Sequence, residues 1–254
     1  MTRMLKFLSF VLVTVSMTVS AQTASSNALG TGNSQTMIAG TGIHNLPINP
    51  VAQVRNAKSW EYGPFVNYGV GLGDRSAYKF LWAGFQAAKP LTPVYKAGIF
   101  SGQFELGANI MPLWQAYTPA PTLAARFTCC GGQVWYAPEG GGTYRGVSLT
   151  PIILRWNFFT TNRRFQPWLQ GAGGLIYTTH KFPPAQQVTE GIPGGTSVWN
   201  FSPQGGVGLH YFTRPKRSID LGINAVHISS ASLGDKNPGV NASVQFQLGY
   251  TFWK

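Results

Sequence analysis

The chain is poor in charge, poorer still in acid, and nearly devoid of cysteine. Of its 254 residues 10% are charged, against ~25% in an ordinary soluble domain, which argues against a broadly solvated surface. Only 7 Asp and Glu stand against 19 Lys and Arg, a formal net charge of +12. The two cysteines, Cys129 and Cys130, are neighbours in the chain, a spacing that fits neither a metal site nor an ordinary disulfide framework. Long apolar runs are missing too. The run from Phe7 to Val19 follows Arg3 and Lys6 and precedes Val19-Ser20-Ala21, the pattern of a secretory signal peptide over residues 1–21. It falls short of the ~20 apolar residues that a membrane-spanning helix needs. After Ala21, Gly, Pro, Gln, Asn or a charge interrupts every apolar segment, so any membrane span has to be made of strands. Soluble-enzyme signatures are also lacking: there is no Walker-type phosphate loop, no paired His on a helix and no strand-turn-helix serine elbow. Nothing calls for nucleic acid, a metal or a cofactor.

What is abundant points the same way. The chain has 31 Gly and 13% aromatic residues, which suits a wall facing lipid, where charges are costly and aromatic rings settle at the interfaces. Loss of the segment bearing Arg3 and Lys6 would leave 12 − 2 = +10. A basic surface attracts anions, lipopolysaccharide phosphates among them. The competing reading places the excess in solvated turns, where Arg163, Arg164, Arg214, Lys216 and Arg217 fall.

Residues 22–58 are rich in Ser, Thr, Asn, Gly and Gln and hold no sustained period, which predicts a flexible periplasmic lead-in. From Trp60 the pattern becomes one of alternating segments separated by turn residues, the signature of a barrel. Eight are expected: Trp60 to Gly73, Tyr78 to Lys89, Lys96 to Pro112, Tyr144 to Phe159, Phe165 to His180, Val198 to Phe212, Ser218 to Ser230 and Asn241 to Trp253. The last is the clearest, with Val244, Phe246, Leu248, Tyr250 and Phe252 on one face. Its Phe252-Trp253 ending resembles an outer-membrane insertion signal, although Lys254 follows. The fold class expected for residues 59–254 is all-β, an eight-stranded antiparallel transmembrane β-barrel. With the lead-in periplasmic, the connections at 90–95, 160–164 and 213–217 fall inside the cell envelope, and the longer ones at 113–143, 181–197 and 231–240 fall outside. The glycines of Gly171-Ala172-Gly173-Gly174 lie within a strand pattern with no helix after them. Close packing in a narrow barrel accounts for them better than nucleotide binding. His44, His180 and His210 lack an obvious partner.

The seventh segment carries a chemical signal. Its apolar face runs Ile219, Leu221, Ile223, Ala225 and continues into His227 and Ser229. Residues two apart on a strand lie ~6.8 Å apart at Cα and point the same way, so an imidazole can reach a hydroxyl. With ~3.4 Å rise per residue and a tilt of ~40°, Ser229 stands ~26 Å above Ile219, at the rim of an apolar band ~25 Å tall. Lipid esters present their carbonyls at that level.

His227-Ile228-Ser229, with Ala231, Leu233, Asn237-Pro238-Gly239 and the final alternating strand, resembles the lipid A 3-O-deacylase family. The likeness is concentrated in this carboxy-terminal stretch. It implies an outer-membrane serine esterase that removes the 3-linked acyl chain of lipid A at the outer leaflet, without a cofactor. Carried over by position, His227 is the general base and Ser229 the nucleophile. The family's acidic residue falls on Asn241, which can orient His227 by hydrogen bonding but cannot stabilise imidazolium with a charge; Asp235 is the nearest acid. The family's Asn after the serine is Ser230 here, the oxyanion candidate. Lipid A phosphates and outer-membrane lipids are the expected partners, with Arg126 or Lys236 meeting the phosphates, and self-association into a homodimer is left open. The alternative is a non-enzymatic small barrel of adhesion or structural type whose working part is the long Leu113 to Thr143 loop.

Overall fold

The computed structural model describes residues 49–119, 122–127, 134–139, 142–159, 162–183, 197–230 and 241–254. The expected signal peptide, His44, Cys129, Cys130, Asp235 and Lys236 lie outside them.

Eight long strands close on themselves: β1 (Glu61–Gly71), β2 (Lys79–Pro90), β3 (Gly102–Thr118), β6 (Gly142–Phe158), β7 (Phe165–Phe182), β8 (Ser197–Arg214), β9 (Arg217–His227) and β10 (Ala242–Trp253). Two further strands, β4 (Thr122–Phe127) and β5 (Val134–Glu139), pair in a separate hairpin between β3 and β6. Every barrel neighbour is antiparallel, and closure is made by β1 on β10, from Glu61 opposite Trp253 to Gly71 opposite Ser243. The expected eight-stranded antiparallel barrel is therefore the fold. Period-two alternation explains it: β1 and β10 show near-perfect alternation of buried and exposed residues. The exposed set is apolar, including Val66, Phe85, Ile110, Leu154, Val207, Leu221 and Leu248. A greasy exterior and a polar interior are the inverse of a soluble sandwich, and suit a lipid-facing wall.

The interior has two chemistries. Near the end that carries both barrel termini lies an ion network. Arg155 Nη1 donates to Glu61 Oε1 (2.5 Å) and Glu105 Oε1 (3.0 Å), and Arg55 Nη1 donates to Glu105 Oε2 (2.9 Å). His210 Nδ1 lies 2.7 Å from Asp220 Oδ1, and Ser218 and Thr251 donate to the same carboxylate. At the opposite, loop end the interior is aromatic: Tyr78, Phe80, Trp82, Trp114 and Phe182 contact one another edge-on or stacked and share a buried cluster with Val226 and Ile228. Between the two, Trp168 lies under the β8–β9 wall. A Cβ added at Gly208 would stand 2.1 Å from its ring, so only glycine lets the strand pass there.

Several expectations change. Part of the lead-in is ordered: helix α1 (Pro50–Asn56) has Asn49 as N-cap, its side chain accepting from Ala52 N, and it buries Val51, Val54 and Arg55 against Phe212, Trp253 and the ion network. The 3.6-residue spacing of Val51, Val54 and Arg55 spans too few turns to register as a period in a polar stretch. The third segment starts later, at Gly102, after a single-turn 3-10 helix at Gly98–Phe100, and it runs on through Pro112 to Thr118. Register shifts on both flanks absorb the proline as a bulge. The loop expected at 113–143 accordingly shrinks and holds the β4–β5 hairpin. Of the three glycines in the run only Gly174 packs inward, where a Cβ would meet Ser202 and Thr150 hydroxyls at 2.6 and 2.7 Å, whereas Gly171 and Gly173 face open space. His210 does have a partner, Asp220, supplied across the β8–β9 hairpin.

Candidate active site

Strand β9 alternates strictly, so the residue at its last position takes the same side as Leu221, Ile223 and Ala225. That residue is His227, which is exposed on the outer wall. Ser229 follows two residues on and is half-buried, while Ile228 between them points inward and is 2% exposed. His227 and Ser229 thus share the outward side at the loop end of the barrel, where the spacing in the sequence put them.

Regular strand ends at His227, and a proline accounts for it. Gln204 pairs with Val226 and Phe201 bridges Ser229, which sets Pro203 opposite His227 in the same register. Phe201 and Ser229 form a doubly bonded pair, N to O at 2.6 and 2.9 Å, so the alternation of an antiparallel ladder calls for an N–H from residue 203 that proline lacks. Pairing resumes beyond this gap. On the other flank Ala242 of β10 stands opposite His227 and Ile228 N donates to Asn241 O at 2.8 Å. The His227–Ser229 backbone is therefore held by β8 through Phe201 and by β10 through Asn241. Sequence reasoning did not single out Phe201 or Pro203; a proline inside a strand pattern two residues from a paired aromatic is the signal that could have drawn attention to them.

Ser230 and Asn241 lie on the other side of the wall. Ser230 is 1% and Asn241 5% exposed, and their alternation places them with Ile228 and Ser243, facing the interior. Of the four residues expected at the site, His227 and Ser229 share the outer face. The other two back them from within. Beneath the segment, Ile228 and Val226 pack into the aromatic cluster. Down the outer wall, away from His227, the surface stays apolar through Ile223, Leu221, Phe246 and Leu248. A hydroxyl and an imidazole on one face, at the margin of an apolar wall, are the residue types that nucleophilic acyl transfer uses. Among the described residues no group of three or more His, Cys, Asp or Glu is placed to hold a metal ion.

A sequence model of the family described as lipid A 3-O-deacylase (PagL) matches residues 102–251, the stretch that contains β3 through most of β10 and the whole His227–Ser229 segment. No curated protein matches the sequence. Among solved structures, the outer membrane enzyme PagL is similar at 13% identity, covering 75% of this chain and 98% of its own, with a TM-score of 0.40. The outer membrane protein OprG from Pseudomonas aeruginosa is similar at 9% identity over 77% of this chain and 93% of its own, with a TM-score of 0.36. The β domain of the Bordetella autotransporter BrkA reaches 10% identity over 77% and 99%, with a TM-score of 0.29. With more than half of its length matched to the family's pattern, this outer-membrane barrel belongs to the lipid A 3-O-deacylase (PagL) family of lipid A deacylases.

Proposed function

We propose that the chain is a membrane-embedded serine esterase that hydrolyses the acyl ester at the 3-O position of lipid A. The observation that carries this reading is the pairing of His227 and Ser229 on the outward side of β9, next to an apolar wall on which an acyl chain can lie. Ser229 Oγ attacks the ester carbonyl while His227 accepts the hydroxyl proton. The tetrahedral intermediate collapses, the C–O bond to the sugar breaks, and His227 returns the proton to the departing oxygen. Water, deprotonated by His227, then attacks the acyl-enzyme, the bond from the acyl carbon to Ser229 Oγ breaks, His227 returns the proton to that oxygen, and the fatty acid is released. No cofactor takes part.

Asn241 is a positioning residue in this scheme. Its carbonyl accepts from Ile228 N and so fixes the peptide that separates base from nucleophile. Ser230 supplies a polar group on the inner side, and its contribution to oxyanion support would come through its backbone N–H. The loop end faces the cell exterior, so the pair meets the outer leaflet, where lipid A resides. Residues 1–21 serve as the export signal.

The test is lipid A mass spectrometry after expression in an outer membrane that lacks endogenous deacylation. Loss of one 3-linked acyl chain, absent with a Ser229→Ala variant that shows the heat-modifiable gel mobility of a folded barrel, supports the reading. Unaltered lipid A with folded wild-type protein sinks it, as does deacylation that persists in Ser229→Ala.

A further inference from the structure

The two ends of the barrel differ in charge more than their lengths of loop explain. At the end that carries α1 and Lys254, three connections join the strands: residues 91–101, 159–164 and the Pro215–Lys216 turn. None contains an acid. Each has cations at or beside it: Lys89 and Lys96, then Arg163 and Arg164, then Arg214, Lys216 and Arg217. Lys58 adds to the same rim. All are exposed or half-buried. The acids of this half, Glu61, Glu105 and Asp220, are all enclosed in the barrel interior and matched there to Arg55, Arg155 and His210, so they do not neutralise the rim. Asp74 and Glu139 fall in the connections of the other end.

The cations are set among rings that continue the lipid-facing wall. Lys89 Nζ lies 5.0 Å from the Trp60 ring centroid, and Arg217 Cζ lies 4.2 Å from that of Phe252. Tyr95 stacks on Trp156, which in turn meets Phe104 edge-on at 4.6 Å. Beside them, on the 91–101 connection, Ile99 and Phe100 are 84% and 64% exposed, although the strands have already ended. Aromatic and aliphatic groups with cationic heads just beyond them match the boundary between acyl chains and anionic head groups. Two of the lysines are also held where backbone conformation argues against them. Lys58 has φ 46° and Lys216, after Pro215 in a tight turn, φ 61°; glycine fills such positions without strain. A long cationic side chain occupies both.

We infer that this rim is a binding surface for the phosphates of anionic phospholipid in the leaflet on the side of the barrel termini, with the 91–101 connection dipping into that leaflet. The surface is separate from the His227–Ser229 pair, which lies at the other end.

The full-length protein, refolded into phosphatidylcholine vesicles, is titrated with brominated phosphatidylglycerol or brominated phosphatidylcholine, and quenching of tryptophan fluorescence reports relative affinity. Phosphatidylglycerol is expected to be preferred by roughly threefold or more at low ionic strength, with the preference falling toward parity in ~0.5 M salt. Replacing Arg163, Arg164, Arg214, Lys216 and Arg217 together by Gln is expected to remove it, whereas Arg145→Gln with Lys181→Gln at the loop end is expected to leave it. Equal quenching by the two lipids in the wild type overturns the inference, and the salt series does so without any variant having to fold. A preference that survives the five replacements also overturns it. Retention on purified peptidoglycan with no lipid preference would instead assign the rim to a cell-wall polymer.

Discussion

The half of the barrel interior near the termini is held by ions and amides, and the half beneath His227 and Ser229 is held by rings. In the first, Arg55 and Arg155 answer Glu61 and Glu105, Asp220 meets His210, and Gln170 bridges Arg155 to Asn224. Such contacts are directional, and in a low dielectric an unmatched member is expensive, so they specify one register and tie α1 into it. In the second half, Phe80 and Phe182 fill space without needing partners in fixed directions, and the rings of Trp82 and Trp114 pack against them. The lesson is a division of labour. The interior matches its buried acids at one end with residues of its own, and the backbone of the His227–Ser229 segment rests on apolar packing at the other, so the fold does not draw the site's imidazole into its ion network.

This contrast can be broken or sharpened. The largest effect belongs to the site: Ser229→Ala and His227→Gln should each lower deacylation by about 10³-fold or more while the urea midpoint for unfolding from lipid vesicles stays put, because neither side chain belongs to the interior. Next comes the ionic half. Arg155→Ala leaves Glu61 and Glu105 buried with one cation fewer and should cost about 3–5 kcal/mol in the same unfolding experiment, with the rate per folded molecule retained. In the aromatic half, Ile228→Ala should cost about 2–4 kcal/mol, since it opens a cavity under the site. Unlike Arg155→Ala it should also slow deacylation. If both variants reduce stability and rate in the same proportion, the two halves are not separable. The smallest effect is expected of Asn241→Ala. The carbonyl that binds Ile228 N remains, so the rate should change by no more than a few-fold; a loss comparable with that of His227→Gln would mean that the Asn241 side chain, not its backbone, governs the imidazole.

How far the chain could be read before its fold was known differs between these regions. The eight strands and the sidedness of His227 and Ser229 were legible because strand alternation is local: each residue's side follows from its neighbours two away. The limits of the third segment were not, since whether Pro112 ends a strand or sits in a bulge depends on the strands beside it. Helix α1 was missed for a related reason, its stability coming from Val51, Val54 and Arg55 docking into a barrel assembled from distant residues. The inward placement of Ser230 follows from the same alternation. That Asn241 backs the site through its carbonyl does not, because it requires knowing that β10 lies beside β9 in this register.

By itself, then, the sequence determined that this protein spans a membrane with strands, how many there are, and which face of the seventh barrel strand bears an imidazole and a hydroxyl. Composition and period-two patterning are properties of neighbours along the chain, and the cost of charge in lipid needs no knowledge of partners. Only the tertiary structure decided which residues neutralise Glu61, Glu105 and Asp220, that Pro203 interrupts the ladder opposite His227, and that the cations of three separate turns gather on one rim. Those outcomes depend on closure of the barrel, which brings residues as far apart as Glu61 and Trp253 into register.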